Sequence, residues 1–204
     1  MQTQLQVMLD LQDSMNSRVH DNWREQHFEW YRAIWIECAE LMDHYGWKWW
    51  KKQSPDSEQV KLELIDIWHF GLSILLIKNT QANDIATTLS QSMESSTEDF
   101  RSALEIFAAD TLNTKAFSIE KFACLLTAMD MSFDDLYTGY VGKNVLNFFR
   151  QDHGYKDGSY QKLWGGQEDN EHLVDIVKTL DTSTLDFKDK LYDSLLSRYQ
   201  ALCL

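Results

Sequence analysis

Apolar positions recur along most of this chain every three to four residues, the period of an α-helix. Met8, Leu11, Met15 and Val19 keep that spacing and predict a first helix over residues 2–19. Gln12 and Asn16 share another face of it, as an exposed amide pair or as a binding element. A long second helix is predicted from Trp23 to about Trp47, with Trp23, Phe28, Trp30, Tyr31 and Trp35 mostly in the core. Along it, Trp30, Ala33, Glu37, Glu40 and His44 trace one continuous face. Gly46 and then Ser54-Pro55-Asp56 mark its end and a turn. The next helix, Ser57 to Lys78, is apolar nearly all round, from Leu62 through Trp68 and Leu72 to Ile77, so it reads as central and buried.

The pattern weakens between residues 80 and 131. Helices are expected at Thr97–Ala109 and Ser118–Met131, with caps at Ser95-Ser96-Thr97 and Ser118 and roles in packing or subunit contact. A further helix runs from Phe133 to about Gln151, and one or two closing helices follow Glu168. No alternating run is long enough to propose a sheet. The single proline, Pro55, suits long helices, and six of the eight glycines fall between Gly139 and Gly166. The expectation is one all-α domain over residues 1–204.

Composition narrows what such a domain can do. With 44% hydrophobic and 25% charged residues in 204, the chain is globular. A net charge of −13 argues against tracking a nucleic-acid backbone. Three cysteines in no metal-binding or paired spacing argue against a disulfide framework or zinc site and suit a reducing cytoplasm. The first residues carry no basic segment followed by an apolar run, so no signal peptide is expected. The longest apolar stretch, Ile65 to Ile77, is too short for a membrane span and contains Asp66 and His69.

Two acidic pairs carry the candidate chemistry. Glu37-x-x-Glu40 and Glu63-x-x-Asp66 each place two carboxylates on one helical face. The second pair lies in the apolar helix, where an unpartnered ionised carboxylate costs several kcal/mol. Such groups persist when paired, protonated or bound to metal, and no Lys or Arg occurs between Glu63 and Ile77, so any partner must come from elsewhere. Four oxygen-bearing groups suit a hard divalent ion. Trp47-Lys48-Trp49-Trp50-Lys51-Lys52 mixes aromatic and basic residues, as an interaction patch or a stacking surface beside phosphate-binding lysines. Lys143, Asn147 and Arg150 form a stripe at i, i+4 and i+7 that leads into His153-Gly154-Tyr155-Lys156-Asp157-Gly158. Stripe and glycine loop together favour an anion site, although no Walker P-loop is present.

The acidic pairs, separated by 22 residues, resemble the metal motif of the all-α NTP pyrophosphatase superfamily. Three further stretches make the chain similar to the dimeric dUTPases. They are Leu11-Gln12-Asp13-Ser14-Met15-Asn16, Trp47-Lys48-x-Trp50-Lys51, and Tyr140-Val141-Gly142-Lys143-Asn144-Val145-Leu146-Asn147-x-Phe149-Arg150-Gln151 with Gly154-Tyr155-Lys156-Asp157-Gly158. That resemblance implies a helical bundle of the pyrophosphatase type, a homodimer, and hydrolysis of dUTP to dUMP and pyrophosphate, with dUDP as a further substrate. The reaction would limit uracil in DNA and supply dUMP for dTMP synthesis. By the same resemblance Glu37, Glu40, Glu63 and Asp66 would hold two or more Mg²⁺ ions, replaceable by Mn²⁺, and water would attack the β-phosphorus; one of the four carboxylates would orient or deprotonate that water, and Glu37 is our choice among them. Gln12 and Asn16 would read the uracil edge, Trp47 would line the base or sugar pocket, and Asn147 would contact the nucleotide. Lys48, Lys143, Arg150 and Lys156 would hold phosphates. Rival readings are a broader dCTP/dUTP pyrophosphatase and a non-catalytic helical dimerisation module. Neither a nucleic acid nor a membrane is an expected partner.

Overall fold

The computed structural model describes residues 1–95, 99–182, 184 and 186–203, and it is all-α apart from one two-stranded hairpin. The described residues divide into two compact units, Met1–Tyr137 and Thr138–Leu204.

The first unit is built around the apolar helix. It follows α1 (Gln2–Val19) and α2 (Trp30–Tyr45), and we label it α3 (Ser57–Ile77). Asp56 caps α3 by accepting from the Gln59 N–H at 3.3 Å, and Asn79, at φ +55°, turns the chain away after its end. Apolar side chains surround α3: Val60, Leu64, Ile67, Trp68 and Leu72 have no exposed surface. The Trp68 ring stacks on Phe122 at 5.1 Å, with Phe117 edge-on at 5.8 Å. A Cβ at Gly71 would come 2.6 Å from the Phe117 ring, so glycine at this point lets the ring lie against the helix backbone. α2 packs along α3, and α1 packs on both α3 and α4 (Ala82–Ser95). α5 (Phe100–Thr114) lies against α2, while α6 (Ile119–Ala128) joins α4 and α5.

The expected second helix is shorter than its sequence suggested. Trp23–Glu25 is a 3₁₀ turn, His27 has φ +54°, and α2 begins only at Trp30. Trp23 is buried as an anchor, its Nε1 donating to Asp13 at 3.0 Å. Phe28 and Trp35, expected inside, are exposed, because α2 buries the stripe Ile34, Cys38 and Leu41. On α1, Val19 is likewise exposed, and Gln12 and Asn16 join the buried face with Leu5, Met8 and Met15.

α4 has no counterpart among the predicted elements. Ala82, Ile85 and Leu89 keep helical spacing, but Asn, Thr and Ser between them favour turns and caps and obscure it. α5 starts at Asp99, whose carboxylate accepts from the Arg101 and Ser102 N–H groups. Residues 96 and 97 of the expected cap lie outside the described residues. Ser118 caps α6 as expected, through the Lys121 N–H.

α7 (Phe133–Asp152) runs into the second unit, which continues with β1 (Leu163–Trp164), β2 (Gln167–Glu168), α8 (Asp169–Val177) and α9 (Phe187–Cys203). The hairpin corrects the expectation of no sheet. Leu163 pairs with Glu168 and Trp164 with Gln167 across Gly165-Gly166. Those glycines have φ +57° and +92°, the signature of a two-residue turn that side-chain-bearing residues resist. Trp164 is fully buried, stacked on His172 at 5.2 Å. Phe149 and Tyr199 lie against its ring, and Tyr160 packs on both of them.

Candidate functional site

Three of the four predicted carboxylates meet in the first unit. Glu37 on α2 and Glu63 and Asp66 on α3 each offer a ligand oxygen within 4.8 Å of the others. Glu63 is 9% exposed, while Glu37 and Asp66 are half-buried. Helix geometry explains the grouping. Glu63 and Asp66 are nearly one turn apart on α3, and α2 packs alongside with Glu37 on the facing stripe. Glu40, one turn further along α2, is exposed and outside this trio, yet its charge still acts on Glu37. Nε2 of His44 lies 3.7 Å from Glu63 Oε1, a neighbour that sequence placed on the acidic face without a role.

Such crowding changes the chemistry of Glu37. Its carboxyl is pushed up to about 8, first by burial, then by the charge of Asp66, by a hydrogen bond with Glu63 and its charge, and by Glu40. A proton held between Glu37 and Glu63 relieves the repulsion when no cation is present. Three hard oxygen donors this close suit a divalent ion, which would displace that proton. Cys38, next in sequence, is buried and its thiol is raised to about 12 by burial and by Glu37, so it is no nucleophile here.

The amide pair sits beside the same helix. Gln12 and Asn16 are buried and fastened to each other and to α3. The Gln12 Nε2 donates to Asn16 Oδ1 at 2.9 Å and to Ser73 Oγ at 3.2 Å. Asn16 Nδ2 donates to the same hydroxyl at 2.9 Å. His69 Nδ1 lies 2.9 Å from Gln12 Oε1, which sets the proton on Nδ1 because the amide oxygen only accepts. His69 and Ser73 had no role in the sequence reading, although polar residues in so apolar a helix were a usable signal. Glu63, Asp66, His69 and Ser73 step along α3 by three or four residues and form one stripe. Asp66 and Ser73 stand about 10 Å apart along its axis by the helical rise. At the stripe's level on α2, the Trp30 ring lies 6.2 Å from Phe70.

Trp47 and Lys48 follow the end of α2 in an exposed loop, with Trp47 Nε1 bonded to Asp43 at 3.0 Å and Lys48 Nζ 5.4 Å over the Trp47 ring.

In the second unit, Lys143 and Asn147 are half-buried on α7 and Lys156 is exposed. Arg150 is different. Its Nε and Nη2 each donate to Asp169 at 2.8 Å, and its Nη1 and Nη2 reach Asn147 and Asn170 at 3.3 and 3.4 Å. Tyr160 donates to the same Asp169 carboxylate at 2.8 Å. Burial raises the Asp169 carboxyl, but the Arg150 and Tyr160 hydrogen bonds outweigh it and the net shift is downward. The expected anion stripe thus contains an arginine already engaged by a carboxylate 19 residues away. The glycine loop is also closed on itself. Tyr155 N–H bonds the Arg150 carbonyl, and Ser159 and Tyr160 N–H groups bond that of Gly154. A Cβ at Gly154 would lie 1.9 Å from Ser159 Oγ.

No curated protein matches the chain. The dUTPase family profile matches residues 4–155, which include all three clustered carboxylates and the buried amide pair.

Proposed function

The chain belongs to the dUTPase family, and on that premise we propose that it cleaves dUTP to dUMP and pyrophosphate in a Mg²⁺-dependent reaction at Glu37, Glu63 and Asp66. The observation that carries this reading is the α3 stripe, which sets Glu63 and Asp66 on the same helix as His69 and Ser73, the anchors of the buried amide pair, while Glu37 completes the acidic trio from α2. The separation of its acidic and amide ends is comparable to the reach of a nucleotide from base to phosphates. Mg²⁺, when bound, supplies charge to the phosphate oxygens and acidifies a water. Glu63 and Asp66 would hold it, Glu40 would add negative potential, and Glu37 would serve as the base that accepts a proton from the attacking water.

Gln12 and Asn16 read the base edge, with His69 fixing the Gln12 amide so that a misfit base leaves polar groups unpaired. Trp47 lines the sugar side, and Lys48 contacts phosphate. Lys143, Asn147, Arg150 and Lys156 keep their proposed nucleotide contacts on the family resemblance alone. For Arg150 little donor capacity remains beyond Asp169, Asn147 and Asn170. The active species is a homodimer, a reading supported by exposed Trp35 and Ile36 on α2 and Ile106 and Leu112 on the adjoining α5. Among the described residues no helix is long and apolar enough to cross a membrane, and Cys38, Cys124 and Cys203 are unpaired, which suits action in the cytoplasm on free nucleotides.

The deciding experiment measures nucleoside monophosphate formation, with pyrophosphate released from each dNTP and orthophosphate from dUDP, in Mg²⁺, Mn²⁺ or EDTA. Turnover of dUTP that EDTA abolishes is expected. Equal turnover of dCTP would replace the dUTP reading with the broader enzyme. Inactivity on every nucleotide with either metal would sink it.

A further inference from the structure

We propose that Arg101 is a positioning residue for substrate binding. It holds the loop that carries Trp47 and Lys48 from an element, α5, that supplies none of the site residues. The inference rests on the dUTP reading for what the loop binds.

α2 ends at Gly46, whose φ of +93° and ψ of 117° turn the chain sharply out of the helix. A Cβ there would lie 2.9 Å from the Gln53 side chain, so the position demands glycine on two counts. The Gly46 carbonyl, left without a helical partner, accepts from Arg101 Nε at 2.9 Å and from Nη2 at 2.5 Å. The guanidinium also lies 5.0 Å from the Tyr45 ring, and Tyr45 in turn packs on Phe100 at 4.3 Å. A cation at a helix C-terminus is favourable, and Arg101 itself lies in the first turn of α5, whose N-terminus Asp99 caps, so both ends of the grip are anchored in helices.

Beyond Gly46 the loop's fastenings among the described residues are local. Gln53 Oε1 accepts from the Lys48 N–H at 2.6 Å, and Asp43 takes the Trp47 indole N–H. Arg101 alone among these ties the loop to another helix. Around it opens a cavity of about 290 Å³ lined by Trp47, Lys48, Trp49, Lys51, Gln53 and Arg101. Among the described residues no carboxylate lines this cavity, in a chain of net charge −13. It is an anion-attracting pocket whose walls depend on where Gly46 sends the chain.

The test compares wild type, Arg101→Ala and Arg101→Lys by steady-state kinetics on dUTP and by hydrogen exchange across residues 46–53. Arg101→Ala is expected to raise KM about tenfold with kcat within about threefold, since it loosens binding without touching the carboxylates. Half-saturation by Mg²⁺ should not move, and exchange at Lys48 and Lys51 should quicken. Arg101→Lys, with one donor left for Gly46, should recover most of the KM. An unchanged KM, or unchanged exchange, in Arg101→Ala overturns the proposal. So does a fall in kcat equal to the fall in kcat/KM. If Arg101→Ala does not fold, Arg101→Lys alone decides, because an intermediate KM is required of it. Wild-type protein inactive on dUTP would sink the dUTP reading instead, and the exchange data would still report whether Arg101 orders the loop.

Discussion

In the second unit Arg150 and Asp169 are both nearly buried, yet each charge faces its opposite in a two-pronged contact, with Tyr160 as a third donor. In the first unit Glu37, Glu63 and Asp66 crowd together with like charge, and Glu37 answers by holding a proton up to about pH 8. One cluster is complete without help. The other crowds like charges, and a raised Glu37 carboxyl and His44 beside Glu63 ease that crowding. Crowded like charges with a raised carboxyl are where function is to be sought, while matched pairs hold structure.

The largest expected effect comes from spoiling the matched pair. Asp169→Ala should destabilise the protein by about 3–5 kcal/mol in urea unfolding, because Arg150 is left buried without its partner. The double change Arg150→Met with Asp169→Leu should recover most of that loss, since both charges leave together. Recovery absent in the double variant would mean that the pair's geometry, not its charge balance, matters.

The unmatched cluster should respond in the opposite sense. Glu63→Gln should cut Mg²⁺-dependent pyrophosphate release by roughly a thousandfold, a loss of about 4 kcal/mol in transition-state stabilisation. In EDTA its melting temperature should rise by a few degrees, as a like charge has gone. A variant that loses stability without cation would refute the view that Glu63 sits there at a cost.

Acidity separates the two further. Glu37 has a folded value of about 8 against an ordinary 4.5, so the folded state binds the proton more tightly. Its contribution to cation-free stability is therefore complete below 4.5, falls as pH rises, and is gone above about 8. Asp169 is shifted down from 3.8, so its contribution is complete above 3.8 and is lost only as pH falls through its lower folded value. Thermal melts from pH 3 to 9 in EDTA, on wild type and Glu37→Gln, should show the first slope vanish in the variant. With Mg²⁺ added near pH 7, calorimetry in two buffers should register proton release. The smallest change is Tyr160→Phe, which removes one hydrogen bond from a carboxylate that keeps two others, and should cost about 1 kcal/mol.

How much of this was visible in the chain depends on distance along it. The acidic pairs were legible because three residues nearly complete a turn, and α1, α3 and α7 kept their bounds because their periodicity is long. Glu40 was grouped with its pair by the same rule, yet it is exposed, since α3 meets α2 on the Glu37 side. Gln12 and Asn16 were hidden by a pattern that treats amides as surface. Their burial depends on Ser73 and His69, about sixty residues downstream. Arg150 looked like part of an anion stripe because its partner lies beyond a loop and a hairpin. Arg101 carried no signal at all, for its value lies in a carbonyl 55 residues earlier.

The stripe on α3 also works as a fixed gauge. Because Glu63, Asp66, His69 and Ser73 share one uninterrupted helix, the spacing between the acidic end and the amide end cannot drift with loop motion. Its phase is equally fixed. One residue inserted between Asp66 and His69 would swing everything after it by about 100° around the axis and carry Ser73 away from Gln12. A point substitution there leaves the spacing of the acidic and amide ends unchanged, whereas an insertion or deletion separates them.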